Sequence, residues 1–552
     1  MILTATNDWS LLEEFSKQES LTTLSLSKFD SPAKGFRLGI DVQPWFHHTN
    51  SSKKGENPRL RLLFLRCKHL LGYPILPLFM FDRNPRRHSH NHLQTEELTK
   101  DFIPIIKAFG FEWRYAPGDP LAELASLNRE GIIDAVLTDD VAVWVFGAQT
   151  VWRNPSSSHP KAKYPEKQIT YKVYNGVTPK HRSAIFVVLL CTRSQSRWCD
   201  TRTSLRLAKR KFSVELYKAV TTCPRNERRN VLSRWRSRLC EYLQARNPSL
   251  ANHIPRGFPD LPLLKPYINP TVSSSFKDYI YAKGTSHDSE PSLPKLARIC
   301  ENLFEWGWKD RILVRFYRNI WGPIAVRILR RQHLCPSLTD AEISRIFGDG
   351  SKGGKVIDKI VNSRSHPSTD ETPEYRVVVD TKMLILWTEA GLKGTRQAPG
   401  VDRKGKGKED TFDEDSEDGS DREGEESSVE EDHDDGHQGT GSTPDVDVES
   451  DNPDDEEIPE QSQQERPVPK TRNRKKEGKP VDPRRPLRVW IPEMVVQGAK
   501  TKLIKKYEKA REEKQKQVEK KKRKREEDDK VDRSTTSPTS PKKRRVSARC
   551  RK

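Results

Sequence analysis

The sequence predicts an α/β domain on a central, mostly parallel sheet, followed by a helical region, a small α+β region and a long disordered tail. Three observations predict this. Between Phe36 and about Ala148, apolar runs of strand length alternate with stretches of helical spacing. Each of the clearest runs closes on an acidic residue. Hydrophobic residues make up 33% of the 552-residue chain and charged residues 32%, with a mean hydropathy of -0.83, so part of the chain must stay outside any packed core. A strand followed by a helix followed by a strand needs a crossover, which gives a parallel sheet covered on both faces.

FRLGIDV (Phe36–Val42) reads as a first strand ending in Asp41, and ILPLFMFD (Ile75–Asp82) as a second ending in Asp82. Between them, Leu60, Leu63, Phe64, Cys67, Leu70 and Leu71 recur at helical spacing. TEELTKDFIPIIKAFG reads as a helix stopped by Gly110. FEWRYAP is a third strand, DPLAELASLNREG a helix, and IDAVLTDD a fourth strand closed by Asp139 and Asp140. Thr192 to His253 is basic and mostly helical, and Pro262 to about Leu392 is a Trp-rich mixed region containing the strand-like EYRVVVD. Gly394 to about Pro480 has the composition of a disordered linker. RPLRVWIPEMVV (Arg485–Val496) is a small apolar island, Thr501–Lys530 a charged helix, and the tail ends in PKKRRV. The boundaries expected from these shifts are 1–190, 191–260, 261–393, 394–484 and 485–552.

The net charge of +21 is unevenly spread. Glu409–Glu460 holds about 25 acidic residues against one Arg, so the remainder carries about +45, which points to a polyanionic partner. The eight cysteines form no C-x-x-C pair, which argues against a zinc site or a disulfide framework and for reduced thiols. The N-terminus has no signal-peptide pattern, and no stretch approaches the roughly 18 apolar residues of a membrane span. No membrane partner is expected, and the compartment is cytosol or nucleus.

In open parallel sheets, sites form outside the carboxyl ends of the strands. Asp41, Asp82, Asp119, Glu123, Asp139 and Asp140 stand at or just beyond such ends. Converging carboxylates hold hard divalent cations, and a pair of ions about 4 Å apart supports phosphodiester hydrolysis. Taken singly, an Asp after a strand is as readily a turn former or helix N-cap, and Asp119 in particular fits a cap.

GIDVQPWFHH, PLFMFDRNPRR, the stretch from Lys107 to Gly147 and the following WRN resemble the N-terminal and internal regions of the flap-endonuclease/xeroderma pigmentosum G (XPG) family. FPDLPLLKPYINPTVS, LARICENLFEWGW, RFYRNIWGPIAVRILRR and HPSTDETPEYRVVVD are similar to the chromodomain-like C-terminal region of its fungal Holliday-junction-resolvase branch. The resemblance covers most of Phe36–Leu392. It implies a PIN-like (XPG N/I) nuclease domain, a degenerate helix-hairpin-helix-like region and a small chromodomain-like region. It also implies a Mg2+- (or Mn2+-) dependent, structure-selective endonuclease acting on branched DNA.

By that resemblance Asp41, Asp82, Asp119 and Asp140 are the catalytic metal ligands, with Glu123 as a partial substitute ligand. The family's A-P-G-E-A-E-A reads Ala116-Pro117-Gly118-Asp119-Pro120-Leu121-Ala122 here, shortening one ligand to Asp119 and replacing another by Leu121. Its E-D-x-D pair keeps Asp140 and has Ala142 as the second member, and its last ligand falls near Ser194. These replacements point to impaired cleavage, and the alternative is an inactive member that binds junctions or recruits partners. The family's opening M-G-[IV]-x-G-L-W is absent from MILTATNDW, and its glycine-rich phosphate-gripping turn reads Arg197–Thr203.

Arg83, Arg86 and Arg87 follow Asp82 where the family places basic residues toward the scissile phosphate. Arg202, Arg206, Lys209, Arg210 and Lys211 form a dense basic stretch expected to bind the DNA backbone, with the interleaved Trp198 and Trp235 expected to be core. Lys520–Arg525 and Pro541–Val546 read as nuclear-import signals, giving an import receptor as partner and the nucleus as location. A third reading has the chromodomain-like region bind chromatin.

Overall fold

A computed structural model describes residues 9–83, 92–153, 170–193, 199, 201–275, 289–398 and 481–535, apart from gaps at 51, 53–54, 256, 260, 349 and 351–352. Arg86, Arg87, Ser194, Trp198, the acidic tract and the import-signal reading Pro541–Val546 lie outside the described residues, as do the side chains of Arg202 and of residues 524–535.

Among the described residues, ten strands form two sheets: β1 (Ser16–Ser20), β2 (Phe36–Asp41), β3 (Ile75–Asp82), β4 (Glu112–Ala116), β5 (Ala135–Leu137), β6 (Thr150–Arg153), β7 (Thr170–Asn175), β8 (Ile357–Arg364), β9 (Glu374–Val379) and β10 (Leu487–Pro492). The larger sheet runs β1-β7-β6-β5-β2-β3-β4. The five strands β6, β5, β2, β3 and β4 are parallel, and β7 and β1 close one edge antiparallel. The expected mostly parallel α/β sheet is therefore present. The edge strand β1 and its neighbour β7 escape sequence reading, because SKQES and TYKVYN carry no continuous apolar run.

Alternation along the central strands feeds two cores. Phe79 and Phe81 of β3 face one core, while Leu78 and Met80 face the other. On the second face, the helix Pro120–Arg129 lies so close to β2 that a Cβ on Gly39 would come within 2.4 Å of Ile133 and 2.6 Å of Leu124. Gly110 ends the helix His92–Ala108 with φ of +69°, as its position predicts. The basic helices Lys211–Thr221 and Arg225–Gln244 join this second core through Leu216, Leu232, Trp235 and Leu239, so Trp235 is core, as expected.

The first core continues without a break into the C-terminal lobe. The helix Trp321–Leu334 lays two buried arginines against the large sheet's amino edge. Arg330 pairs with Glu290 at 3.0 Å and donates to the carbonyls of Ala33 and Lys34, while Arg327 donates to the carbonyl of Ile75. The apolar island Arg485–Val496 belongs to this lobe rather than to a separate tail: it supplies β10, which pairs antiparallel with β9, and buries Ile491, Val495 and Val496 completely. Chain distance across the linker hid this pairing from sequence reasoning. The charged helix runs Thr501–Thr535, anchored near its start by Ile504 and Tyr507. Among the described residues, no helix is long and apolar enough to cross a membrane.

Candidate active site

The four neighbouring strands β5, β2, β3 and β4 end side by side, and every candidate acid follows one of these ends. Asp41 closes β2 opposite Met80, and Asp82 closes β3 opposite Ala116. Asp119 lies three residues past β4, and Asp139 and Asp140 follow β5 after Thr138.

Three of these aspartates also start helices, as the bland reading of each predicts. Asp41 accepts from the Gln43 amide, Asp119 from the amides of Leu121 and Ala122, and Asp140 from the Ala142 amide. The two roles coincide, because a capping aspartate at a strand's end keeps its carboxylate on the carboxyl edge of the sheet.

Asp41 is the electrostatic centre of the cluster. It is buried, and its carboxyl is raised from 3.8 to about 7. Burial is the main cause, and the charges of Asp140 and Asp119 add to it. Hydrogen bonds from Thr138 and the Gln43 amide pull the other way. Thr138, fully buried, donates its hydroxyl to Asp41 at 2.8 Å and accepts the Asp140 amide at 3.1 Å, tying the ends of β2 and β5 together. Sequence reasoning passed over Thr138; its signal is a hydroxyl residue between a buried strand and two acids.

The other candidates divide. Glu123 is buried and accepts the Ser273 amide at 2.7 Å, and neither it nor Asp82 is among the charges that raise the Asp41 carboxyl. Leu121 and Ala142, at the replaced ligand positions, are packed into the second core. Arg83 is exposed next to Asp82, and Arg206, Lys209, Arg210 and Lys211 are exposed at the junction of the helices Thr201–Ala208 and Lys211–Thr221. The segment Trp9–Phe15 brings Trp9 to the site, where its indole N–H donates to the Asp139 carbonyl. The N-terminal region thus reaches the acidic edge without the family's usual opening sequence.

Oxygen donors of this kind suit a hard dication of the Mg type. Among the described residues, however, no group of three or more His, Cys, Asp or Glu side chains could hold a metal ion. The carboxylates present fit an ion held by one or two of them and completed by water and phosphate, which is the usual habit of Mg2+, rather than a closed protein cage.

Parallel strands whose carboxyl ends gather aspartates define an α/β protein with a carboxylate-lined candidate site. Residues 110–194 match the family described as XPG I-region, and residues 356–438 and 426–510 match the Holliday junction resolvase Gen1 C-terminal domain. These two stretches are thus similar to the flap-endonuclease/XPG family and to its Holliday-junction-resolvase branch. The flap endonuclease GEN homolog 1 of Mus musculus is 24% identical over 172 residues, 26% of this chain and 18% of that protein. The flap endonuclease GEN-like 1 of Arabidopsis thaliana is 24% identical over 216 residues, 33% of this chain and 34% of that protein. The chain therefore matches about a fifth to a third of the length of these relatives. A solved eukaryotic junction-resolving enzyme GEN-1 with cesium superposes with a TM-score of 0.59 at 20% identity, over 92% of this chain and all of that one. A GEN1 complex with product DNA, Mg2+ and Mn2+ gives 0.56 at 20% identity, over 91% of this chain and 98% of that one. Both likenesses are in fold.

Proposed function

We propose that this protein is a structure-selective DNA endonuclease of the 5′-flap and Holliday-junction type, dependent on Mg2+ or Mn2+, with reduced turnover, acting in DNA repair and recombination. The observation that carries this reading is the gathering of Asp41, Asp82, Asp119 and Asp140 at the carboxyl ends of the neighbouring strands β5, β2, β3 and β4, where Asp41 is buried and its carboxyl is raised by burial first and then by the charges of Asp140 and Asp119. Such an edge accumulates negative charge that a cation bridging to a phosphate would relieve. The names of the relatives and the DNA and ions in the GEN1 complex support the same substrate and cofactor.

A bound dication would relieve phosphate charge and supply a nucleophilic water. The chain's own residues set where that happens. Asp41, Asp82, Asp119 and Asp140 present oxygens along one edge, with Asp41 and Asp140 held in register by Thr138. Arg83, with Arg86 and Arg87 following in sequence, would steer the scissile phosphate to that edge. Arg202, Arg206, Lys209, Arg210 and Lys211 would bind the duplex backbone beyond it. On this reading 1–190 is the nuclease domain, 191–260 the DNA-gripping helices, and 261–393 the chromodomain-like region, completed by β10 from across the acidic linker. The basic runs Lys520–Arg525 and Pro541–Val546 would engage an import receptor and place the protein in the nucleus.

A second reading, junction binding without cutting, is favoured by Leu121 and Ala142, whose burial in the core leaves no oxygen at two expected ligand positions. Purified protein incubated with labelled flap and four-way-junction DNA and Mg2+ or Mn2+ separates the two. Cleavage abolished by Asp82→Ala establishes the nuclease; tight binding with no cleavage establishes the second reading.

A further inference from the structure

Next to the carboxylate edge stands a polar chain that the proposed chemistry does not use. The helix Val42–Thr49 begins at Asp41 and carries His48 two turns on. His48 Nε2 lies 3.2 Å from Asp139 Oδ2, and Arg66 Nη2 lies 3.1 Å from His48 Nδ1. Arg66 projects from the neighbouring helix Pro58–Leu71 with its guanidinium 5.3 Å from the Trp45 ring centroid. The arginine fixes the direction of the whole chain. A guanidinium can only donate, so Nδ1 of His48 accepts, Nε2 carries the ring proton, and that proton is offered to Asp139.

Asp139 is held twice, its carboxylate by His48 and its carbonyl by the Trp9 indole at 3.1 Å. Its neighbour Asp140 is fixed differently, through its amide on Thr138 and its carboxylate on the Ala142 amide, and it is Asp140 whose charge acts on Asp41. Two adjacent acids after β5 offered two candidates for one role, and the hydrogen bonds separate them.

Resting on the proposed nuclease reading, we infer that His48 is a positioning residue. By engaging Asp139 it turns that carboxylate toward the helix Val42–Thr49 and sets the Thr138–Asp140 turn, so that Asp140 alone of the pair serves the carboxylate edge. Residues that orient a site carboxylate in this way, when removed, typically cost about 10–100-fold in activity while contributing little to substrate affinity.

The test uses the full chain with flap DNA and Mg2+, comparing His48→Ala, His48→Gln and Asp139→Ala. His48→Ala is expected to lower kcat about tenfold with KM and DNA Kd within about twofold. His48→Gln, which can place an amide N–H near the Nε2 position, should recover most of the loss. His48→Ala combined with Asp139→Ala should be no worse than the weaker single variant. Equal loss in His48→Gln and His48→Ala at unchanged melting temperature, or effects that multiply in the double variant, would overturn the inference. A second readout needs no cleavage: with histidine selectively labelled with 15N, the His48 signal, assigned by its loss in His48→Gln, should show the Nε2–H tautomer and move in Asp139→Ala. An Nδ1–H tautomer overturns the inference even if the protein cuts DNA. The expected tautomer in a protein that cuts no DNA retains the link while refuting the nuclease reading.

Discussion

Replacing Asp41 by asparagine should make the protein more stable at neutral to alkaline pH while removing the cleavage proposed for it. The Asp41 carboxyl is raised from 3.8 to about 7, so the fold favours its protonated form. The stability tied to this group is therefore fully present below pH 3.8 and is lost as the pH rises through about 7. At 1.36 kcal/mol for each pH unit between the two values, the ionised carboxylate costs about 4 kcal/mol above that window. In Asp41→Asn the new carboxamide would keep one oxygen for the Gln43 amide and offer N–H to the Thr138 hydroxyl, so the local hydrogen bonds survive. Urea unfolding followed by Trp fluorescence should then show the variant more stable by roughly 2–4 kcal/mol near pH 8, with the gain vanishing near pH 4. Cleavage should be abolished, a trade of activity for stability common where a site holds uncompensated charge. A variant no more stable near pH 8 than near pH 4, or less stable at both, would refute the assignment of Asp41 as a buried, mutually repelled carboxylate.

Thr138→Val should remove the hydroxyl that lowers the Asp41 carboxyl, moving the acidic limb of the pH–rate profile on flap DNA to higher pH and reducing cleavage at neutral pH. Arg330→Met should destabilise the fold by about 3–5 kcal/mol in urea unfolding, because it leaves Glu290 charged and buried and two carbonyls without their donor. Alanine replacements of Arg206, Lys209, Arg210 and Lys211 should weaken DNA binding without changing junction preference, each lost phosphate contact lowering the slope of log Kd against log salt by about one. Truncation after residue 480 should prevent cooperative folding of the C-terminal lobe in thermal melts, since burial of Ile491, Val495 and Val496 contributes at least about 5 kcal/mol.

The alternation of apolar runs and helical spacing from Phe36 to Ala148 was sufficient for the parallel sheet and for the placement of acids at its carboxyl edge. Both depend on local periodicity and on a rule of α/β topology, which one sequence displays in full. The glycine at the end of the helix His92–Ala108 and the burial of Trp235 were legible for the same reason. Tertiary structure alone decided the rest, because the deciding contacts join residues far apart in the chain. Thr138 meets Asp41 across 97 positions, Trp9 meets Asp139 across 130, and β10 meets β9 from the far side of the acidic linker. Which of two adjacent aspartates faces the site was likewise set by His48 and Arg66 on two other helices. A sequence states that carboxylates will gather at the end of a sheet; the hydrogen bonds that hold each one, and so the work it can do, exist only once the strands are side by side.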